Sequence, residues 1–233
     1  MGKRIISLQN VTKEFNSKER SFTALKHIDL NIDKGEYLAI TGKSGSGKST
    51  LLNMLTGIDR PTHGTIKVND VDINLLNESK LAQWRGVNIG IVFQFFQLIP
   101  TLTIGENLML AMEFVNVIPK KERLKRTAQL LEQVGIPEQI NKMPATLSGG
   151  EQQRAAISRA LANNPSIIVA DEPTGNLDSK TTSSINALFS SLAASGKTVI
   201  VVTHEKESAQ QYHRTITISD GSIIAENLKN EHV

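Results

Sequence analysis

Apolar runs rich in β-branched residues alternate along the chain with stretches of helical pattern, and this alternation predicts an α/β fold. Three runs, YLAIT, SIIVA and TVIVVT, are apolar nearly throughout, as strands buried on both faces of a parallel sheet are. The residues expected to form strands are 6–12, 27–32, 37–41, 65–70, 88–94, 166–171, 198–204 and 214–220, with a terminal hairpin that turns at Asp220 and Gly221. We therefore expect a parallel core sheet with alternating edge strands beside it.

The stretch from Gly105 to Asn164 is mostly helical in its pattern. Apolar residues recur there at the spacing of one helix face, and Gly135 follows them as a stop signal. The residues that this spacing predicts to be buried are Leu124, Ala128, Leu131 and Val134. The pattern therefore predicts a helical lobe inserted into the α/β core.

A glycine-rich stretch, GKSGSGKST, lies between the apolar run 37–41 and a helical pattern. It fits G-x-x-x-x-G-K-[ST] from Gly42 to Ser49, in the strand-to-helix context that this motif requires. Glycines let backbone N–H groups surround an anion, and the helix that follows adds its own free N–H groups. Lys48 would reach the β- and γ-phosphates, and Ser49 would offer its hydroxyl to Mg²⁺. The stretch therefore predicts a site for the phosphates of a nucleotide.

Two further buried strands are predicted to end on polar groups. Asp171 ends the run IIVAD and Glu172 follows it, which places both carboxylates at the sheet edge where ligands bind. Asp171 is suited to hold magnesium, and Glu172 is suited to orient or deprotonate a water that attacks the γ-phosphate. His204 follows TVIVVT and would reach the same edge. Other interpretations stay open, because carboxylates after strands often cap helices and His204 can be purely structural.

The stretch LSGGEQQRAAISRAL predicts a second helix with an exposed N-terminus. Ser148 and Glu151 have the spacing of a capping box, and the glycine pair between them leaves backbone N–H groups uncovered. Either the helix is an ordinary well-capped one, or its N-terminus binds an anion. The stretch alone favours the ordinary helix.

Together these stretches resemble the ATP-binding cassette family over essentially the whole chain. The residues that carry the resemblance are LSGGEQQR, GKSGSGKST, IIVADEPTGNLD, a glutamine after GIVF and a histidine after VIVVT. The resemblance implies a P-loop NTPase fold with a parallel core sheet, an antiparallel β subdomain and an inserted α-helical lobe. It also implies one nucleotide-binding domain over 1–233, in which 1–94 and 165–233 form the core and 95–164 the helical lobe.

The same resemblance assigns ATP and Mg²⁺ as cofactors and gives roles to individual residues. Phe15 would stack on adenine, although packing in the core is the alternative for this ring. The other residues implied to bind nucleotide are Gly42, Ser44, Gly45, Ser46, Gly47, Lys48, Ser49 and Thr50 of the Walker A loop, Ser148, Gly149 and Gly150 of the signature loop, and Asp178 of the D-loop. Magnesium is assigned to Ser49, Gln94 and Asp171, and catalysis to Glu172, Gln94 and His204.

The resemblance further implies two kinds of partner. A second copy of the chain would sandwich two ATP molecules, and integral membrane permease subunits would use the ATP cycle. This places the chain in the cytoplasm, peripheral on the inner face of the cell membrane. Nucleic acid is not expected, because Lys and Arg number 26 against 23 Asp and Glu, which is a small excess. The sequence has no cysteine, and hence no disulfide or thiolate site.

Two stretches indicate a subfamily. PTGNLDS at 173–179 and FQFFQLIPTLTIGENL at 93–108 are similar to the cassettes of macrolide exporters, lipoprotein-release complexes and antimicrobial-peptide systems. This similarity implies export or extraction of a hydrophobic or peptide-like substrate. An importer cassette and a regulatory or signalling ATPase without transport remain the alternatives.

The second of these stretches carries many apolar side chains directly after Gln94, and Pro100 argues against regular structure there. The apolar residues are Phe95, Phe96, Leu98, Ile99 and Leu102. They would either form a surface on which a permease docks or pack against the helical lobe of the chain itself.

Overall fold

The computed structural model describes residues 3–16, 21–203 and 211–229. The strands in this part are β1 (Arg4–Asn16), β2 (Ser21–Asp33), β3 (Tyr37–Thr41), β4 (His63–Val68), β5 (Val71–Asp72), β6 (Ile89–Val92), β7 (Ile167–Asp171), β8 (Thr198–Val202), β9 (Arg214–Ser219) and β10 (Ser222–Leu228). The helices are α1 (Lys48–Thr56), α2 (Glu78–Asn88), α3 (Ile104–Val115), α4 (Lys120–Gln133), α5 (Gly149–Ala160) and α6 (Ser179–Ala194).

The chain divides into two units. The first contains Met1–Leu81 and Leu192–Val233, and the second contains residues 82–191. The chain therefore leaves the first unit within α2 and returns to it within α6.

An antiparallel sheet in the first unit has the strand order β2-β1-β4-β5. Its two long strands, β1 and β2, pair from Arg4 opposite Asp33 to Asn16 opposite Ser21, with several bulges. Side chains from two of its strands, among them Leu8, Val11 and Ile66, are fully buried. The predicted antiparallel β subdomain is confirmed.

A parallel set of strands in the same unit contains the strand that leads into the glycine-rich loop. β3 pairs in parallel with β8 on one side and with β9 on the other. β10 then pairs antiparallel with β9 through a turn at Asp220 and Gly221, whose φ values are 48° and 79°. Positive φ at both central residues is what a tight hairpin requires, and the predicted turn is confirmed. β3 and β8 are apolar and almost fully buried.

The second unit has a parallel strand pair, β6 and β7, whose register runs from Ile89 opposite Ile167 to Val92 opposite Ala170. The helices α3, α4 and α5 lie between these two strands in the chain, so the predicted insertion of a helical lobe is confirmed. Its core includes Leu108, Met112, Leu131, Ala156 and Ile157, all fully buried.

The predicted buried face of α4 is wrong in its first half. Leu124 is 61% exposed and Ala128 is also exposed, whereas Arg123 and Thr127 are buried. Arg123 can be buried because its guanidinium donates to the carbonyl of Ile118 (3.0 Å) and to Asn116 Oδ1 (2.7 Å). The helix is thus rotated by one residue from the face that apolar spacing alone indicates. The second half of the prediction is confirmed, because Leu131 and Val134 are buried.

Candidate nucleotide-binding site

The loop from Gly42 to Gly47 packs tightly against strands of the first unit. A Cβ at Gly42 would lie 2.3 Å from the carbonyl oxygen of Ile218, and one at Gly47 would lie 2.7 Å from the carbonyl oxygen of Ala24. Any side chain at these two positions would push the loop off the strands behind it. A Cβ at Gly45, in contrast, would meet no atom of the described residues within 4 Å. The loop is therefore packed on one side and open at its tip.

Lys48 directly follows this loop as the first residue of α1, and it is only 5% exposed. Its Nζ donates to the carbonyl oxygens of Gly42 (3.0 Å) and Lys43 (2.9 Å), so the ammonium group is held at the base of the turn. Both of these partners are neutral, and a buried ammonium favours an anion in its vicinity.

The N-terminus of α1 begins at the same lysine. Gly47, with φ of 109°, is its N-cap and supplies no side-chain hydrogen bond, which leaves the first-turn N–H groups without a side-chain cap. The buried Ser46 Oγ has no hydrogen-bond partner among the residues that the structure describes. An uncapped helix start, a buried ammonium and an open glycine tip are features that fit a polyphosphate.

The turn between β9 and β10 is hydrogen-bonded to this loop. The N–H of Gly221 donates to the carbonyl of Ser46 (3.0 Å), and the carbonyl of Gly221 accepts from the N–H of Lys26 (2.8 Å). Sequence reasoning identified the hairpin turn but not this contact, because a tertiary hydrogen bond leaves no local signal.

Phe15 lies near the end of β1, and 47% of it is exposed. Its ring is therefore available for stacking on a base rather than packed in the core. The Nζ of Lys13 lies 4.9 Å from the ring centroid and also forms an ion pair with Asp59 (2.7 Å). Phe22 stands opposite Phe15 in the strand register and is likewise exposed, so a second ring that sequence reasoning missed shares this face.

In the second unit, Asp171 is the last residue of β7 and Glu172 follows it in a left-handed conformation, with φ of 47°. A non-glycine residue with positive φ directly after a buried strand is uncommon, and such conformations concentrate at functional sites. The carbonyl of Glu172 accepts from the N–H of Gly175 (3.1 Å), which closes a tight loop.

Gln94, just after β6, lies against that same loop. Its carbonyl accepts from Asn176 Nδ2 (3.5 Å), and a Cβ at Gly175 would lie 3.2 Å from its Nε2 and 3.8 Å from the Cβ of Glu172. The structure thus places Gln94 and Glu172 at the same loop, and these are two of the three residues to which the resemblance assigns catalysis. The third, His204, lies outside the described residues.

The capping box predicted at Ser148 is confirmed. Glu151 accepts from the N–H (2.8 Å) and from the hydroxyl (2.6 Å) of Ser148, and these bonds lower the pKa of Glu151. The loop also contacts the start of α6, because a Cβ at Gly150 would lie 2.6 Å from Cγ2 of Thr181. Gly149 is less tightly enclosed, since a Cβ there would lie 3.5 Å from Leu177 Cδ2, which is an ordinary contact distance.

Asp178 caps α6 through the same threonine. Its carboxylate accepts from the N–H (3.0 Å) and the hydroxyl (2.6 Å) of Thr181, and these hydrogen bonds lower its pKa. The residues predicted for the signature loop and the D-loop, far apart in sequence, therefore meet at Thr181.

The donor chemistry fits Mg²⁺, which binds hard oxygen ligands and usually uses one or two protein groups together with substrate phosphates. Ser49 offers an exposed hydroxyl at the start of α1, and Asp171 offers a carboxylate at the end of β7. In the described part of the chain, no group of three or more His, Cys, Asp or Glu side chains could hold a metal by itself.

No helix among the described residues is long and apolar enough to span a bilayer.

Comparison with known proteins places this chain among many relatives. A family model described as ABC transporter matches residues 25–175. YvrO of Bacillus subtilis (strain 168), an uncharacterized ABC transporter ATP-binding protein, is 45% identical over 220 residues, which cover 94% of this chain and 96% of YvrO. The lipoprotein-releasing system ATP-binding protein LolD of Aquifex aeolicus is 42% identical over 222 residues, which cover 95% of this chain and 97% of LolD.

Solved structures of ATP-binding cassettes also match this chain. The ATP-binding cassette MJ0796 of Methanocaldococcus jannaschii, in a dimeric post-hydrolysis state bound to ADP and Pi, matches with a TM-score of 0.90 at 43% identity, covering 97% of this chain and 99% of that one. With the phosphate loop, the acidic strand end and the capped signature helix all present, this chain belongs to the ABC transporter family and has the fold of its ATP-binding cassettes.

Proposed function

We propose that this chain is the Mg²⁺-dependent ATPase subunit of a membrane transporter, and that it dimerises on ATP to drive export or extraction of a hydrophobic or peptide-like substrate through permease subunits. The observation that carries this proposal is the phosphate loop, with its buried Lys48 and open tip at Gly45. The similarity to LolD supports the export or extraction class. The chain would act as a single nucleotide-binding domain, located in the cytoplasm on the inner face of the membrane.

The residues of the phosphate loop would bind the nucleotide. Backbone N–H groups of Ser44 to Thr50 would surround the β- and γ-phosphates, and Lys48 would exchange its two carbonyl contacts for phosphate oxygens. Phe15 would stack on the adenine. Bound Mg²⁺, held by Ser49, Gln94 and Asp171, would neutralise charge on the phosphates.

Hydrolysis then requires a water aligned with the γ-phosphate. Glu172 would orient this water and accept its proton, while Gln94, held against the same loop, would help to fix the water's position. The oxygen of the water bonds to the γ-phosphorus as the bond to the β–γ bridging oxygen breaks, which gives ADP and phosphate. His204 would contact the γ-phosphate.

A second copy would complete each site with Ser148, Gly149 and Gly150 at the start of its α5, and with Asp178. The dimeric structures of MJ0796 support self-association. The test is phosphate release from the purified chain with ATP, with and without Mg²⁺, together with its elution volume in size-exclusion chromatography. We expect Mg²⁺-dependent release of phosphate and ATP-dependent dimers. A folded chain that releases no phosphate under any of these conditions contradicts the proposal.

The apolar stretch after Gln94 supports a permease partner. None of its five apolar residues is fully buried, and Phe95 is 68% exposed. Phe96 is half-buried instead, and its ring end lies 3.9 Å from the position of a Cβ at Gly149. The two phenylalanines thus differ in exposure: Phe95 is accessible to a partner, whereas Phe96 packs on the chain itself.

Phe95→Ser should therefore abolish recovery of a permease with the tagged chain from detergent extracts of native membranes, without lowering the melting temperature. Phe96→Ser serves as the matched control and should lower the melting temperature, since it removes a packed aromatic ring at a cost of roughly 3 kcal/mol or less. The measurements are thermal unfolding of each isolated variant and mass spectrometry of the recovered proteins. A Phe95→Ser chain that retains the permease would show that docking does not use this ring.

A further inference from the structure

The chain after Gln94 contains two consecutive residues in the left-handed region. Phe96 and Gln97 have φ values of 57° and 55°. Left-handed backbone is unfavourable for an L-residue, and a bulky aromatic is an unusual occupant. Both residues therefore need contacts from outside the turn to hold them.

Arg159 supplies those contacts. Its guanidinium donates to the carbonyl oxygen of Phe96 (2.8 Å) and to the carbonyl oxygen of Gln97. A left-handed pair turns its carbonyls toward one side, and the planar fork of an arginine can bind two acceptors at once. Arg159 is partly buried, and this burial lowers its pKa.

The arginine stands in the last turn of α5, the helix that begins with Ser148 and the glycine pair. The ring of Phe96 approaches the other end of this helix, since its Cζ would lie 3.9 Å from a Cβ at Gly149. The turn at Phe96 and Gln97 is thus hydrogen-bonded to the end of α5 and lies near its start.

Gln94 is only two residues before this turn and also lies against the loop that follows Glu172. A displacement of the turn would shift Gln94 relative to that loop. The geometry points to a positioning role for Arg159: it holds the left-handed turn and so fixes Gln94 relative to α5 and its signature loop. This inference rests on the proposed ATPase function, because the role assigned to Gln94 belongs to it.

A purely structural arginine is the alternative, and the chain offers a matched control for it. Arg126 also donates to two main-chain carbonyls, those of Ala162 (2.5 Å) and Leu161 (3.0 Å), and burial lowers its pKa too. Its acceptors are the two carbonyls just beyond α5, not those of the turn at Phe96 and Gln97. Arg126→Met and Arg159→Met therefore remove the same kind of contact at different places.

The experiment compares the full-length chain with these two variants by thermal unfolding, ATP affinity and kcat at saturating Mg²⁺-ATP. We expect both variants to unfold at a lower temperature and to keep the Kd for ATP. Only Arg159→Met should lower kcat, by roughly tenfold to a hundredfold, since a displacement of about 1 Å has effects of this size. The kcat of Arg159→Lys should lie between those of the parent and Arg159→Met, because the ammonium group of lysine lacks the planar, two-pronged guanidinium. Arg159→Lys takes the place of Arg159→Met in the experiment if Arg159→Met does not fold.

A second substitution separates positioning from stability. Glycine adopts positive φ without strain, so Gln97→Gly in the Arg159 variant should recover part of the lost kcat, and the same change beside Arg126→Met should not alter kcat. Equal kcat in the Arg159 and Arg126 variants, or no recovery with Gln97→Gly, would overturn the inference while leaving the ATPase proposal intact. A parent chain that hydrolyses no ATP would instead remove the proposed function itself.

Discussion

Glu172→Gln is expected to bind ATP like the parent and to lose nearly all turnover, by a factor of about 10² to 10⁴, which is the usual contribution of a general base. The amide keeps the shape of the side chain but cannot accept a proton from water. It should also be tolerated structurally, because the left-handed backbone at this position is held by the main-chain bond to Gly175. The substituted chain should therefore accumulate as an ATP-bound dimer.

Phosphate release and size-exclusion chromatography with Mg²⁺-ATP measure the two effects. Glu132→Gln is the matched control, since Glu132 is an exposed glutamate on α4, and its turnover should equal that of the parent. If the Glu172→Gln chain turns over at the parent rate, Glu172 is not the base. If it is saturated with ATP yet remains a monomer, the proposed sandwich of two copies is wrong.

Lys48→Ala is expected to have the second large effect, on nucleotide binding itself. The ammonium group is buried, and in the complex its hydrogen bonds would go to phosphate oxygens. A hydrogen bond to a charged group contributes about 1.5–3 kcal/mol, so ATP affinity should fall roughly tenfold to a hundredfold, and no ATP-dependent dimer should form.

Equilibrium binding of a fluorescent ATP analogue, with ATP as competitor, gives the affinity directly. Lys43→Ala is the matched control, because Lys43 belongs to the same loop but is exposed, and it should bind almost normally. Thermal unfolding of the unliganded chains separates lost binding from lost folding. ATP hydrolysis by Lys48→Ala at the parent rate would refute the assignment of this loop to the phosphates.

The phosphate loop and the acidic strand end were predictable because their signals are local. A strand that ends in a glycine-rich turn and a helix that follows define the position of Lys48 without tertiary information. The capping box at Ser148 is likewise a contact between near neighbours in sequence. The hairpin at Asp220 and Gly221 was predictable for the same reason, since the turn residues alone determine its geometry.

The remaining features depend on contacts between distant segments. The bonds from Arg159 to the turn at Phe96 and Gln97 join residues more than sixty positions apart, and no periodicity indicates them. On α4 the buried face includes Arg123, because its guanidinium donates to a backbone carbonyl and to a side-chain amide. The spacing of apolar residues gives no information about these hydrogen bonds. β1 and β2 also extend beyond the predicted runs, since their polar ends pair with each other through the main chain.

The pairing of β3 has a consequence for synthesis on the ribosome. This strand is made before α1, but its two parallel neighbours, β8 and β9, are made only after α6. Contacts between such distant segments form late and slow folding, and a strand that waits for its neighbours exposes apolar surface in the meantime. The hairpin turn at Gly221, which bonds to Ser46, is translated later still. A nascent chain therefore completes its phosphate loop only after β8, β9 and this hairpin turn have been translated, so chains that stop before them should not sequester ATP.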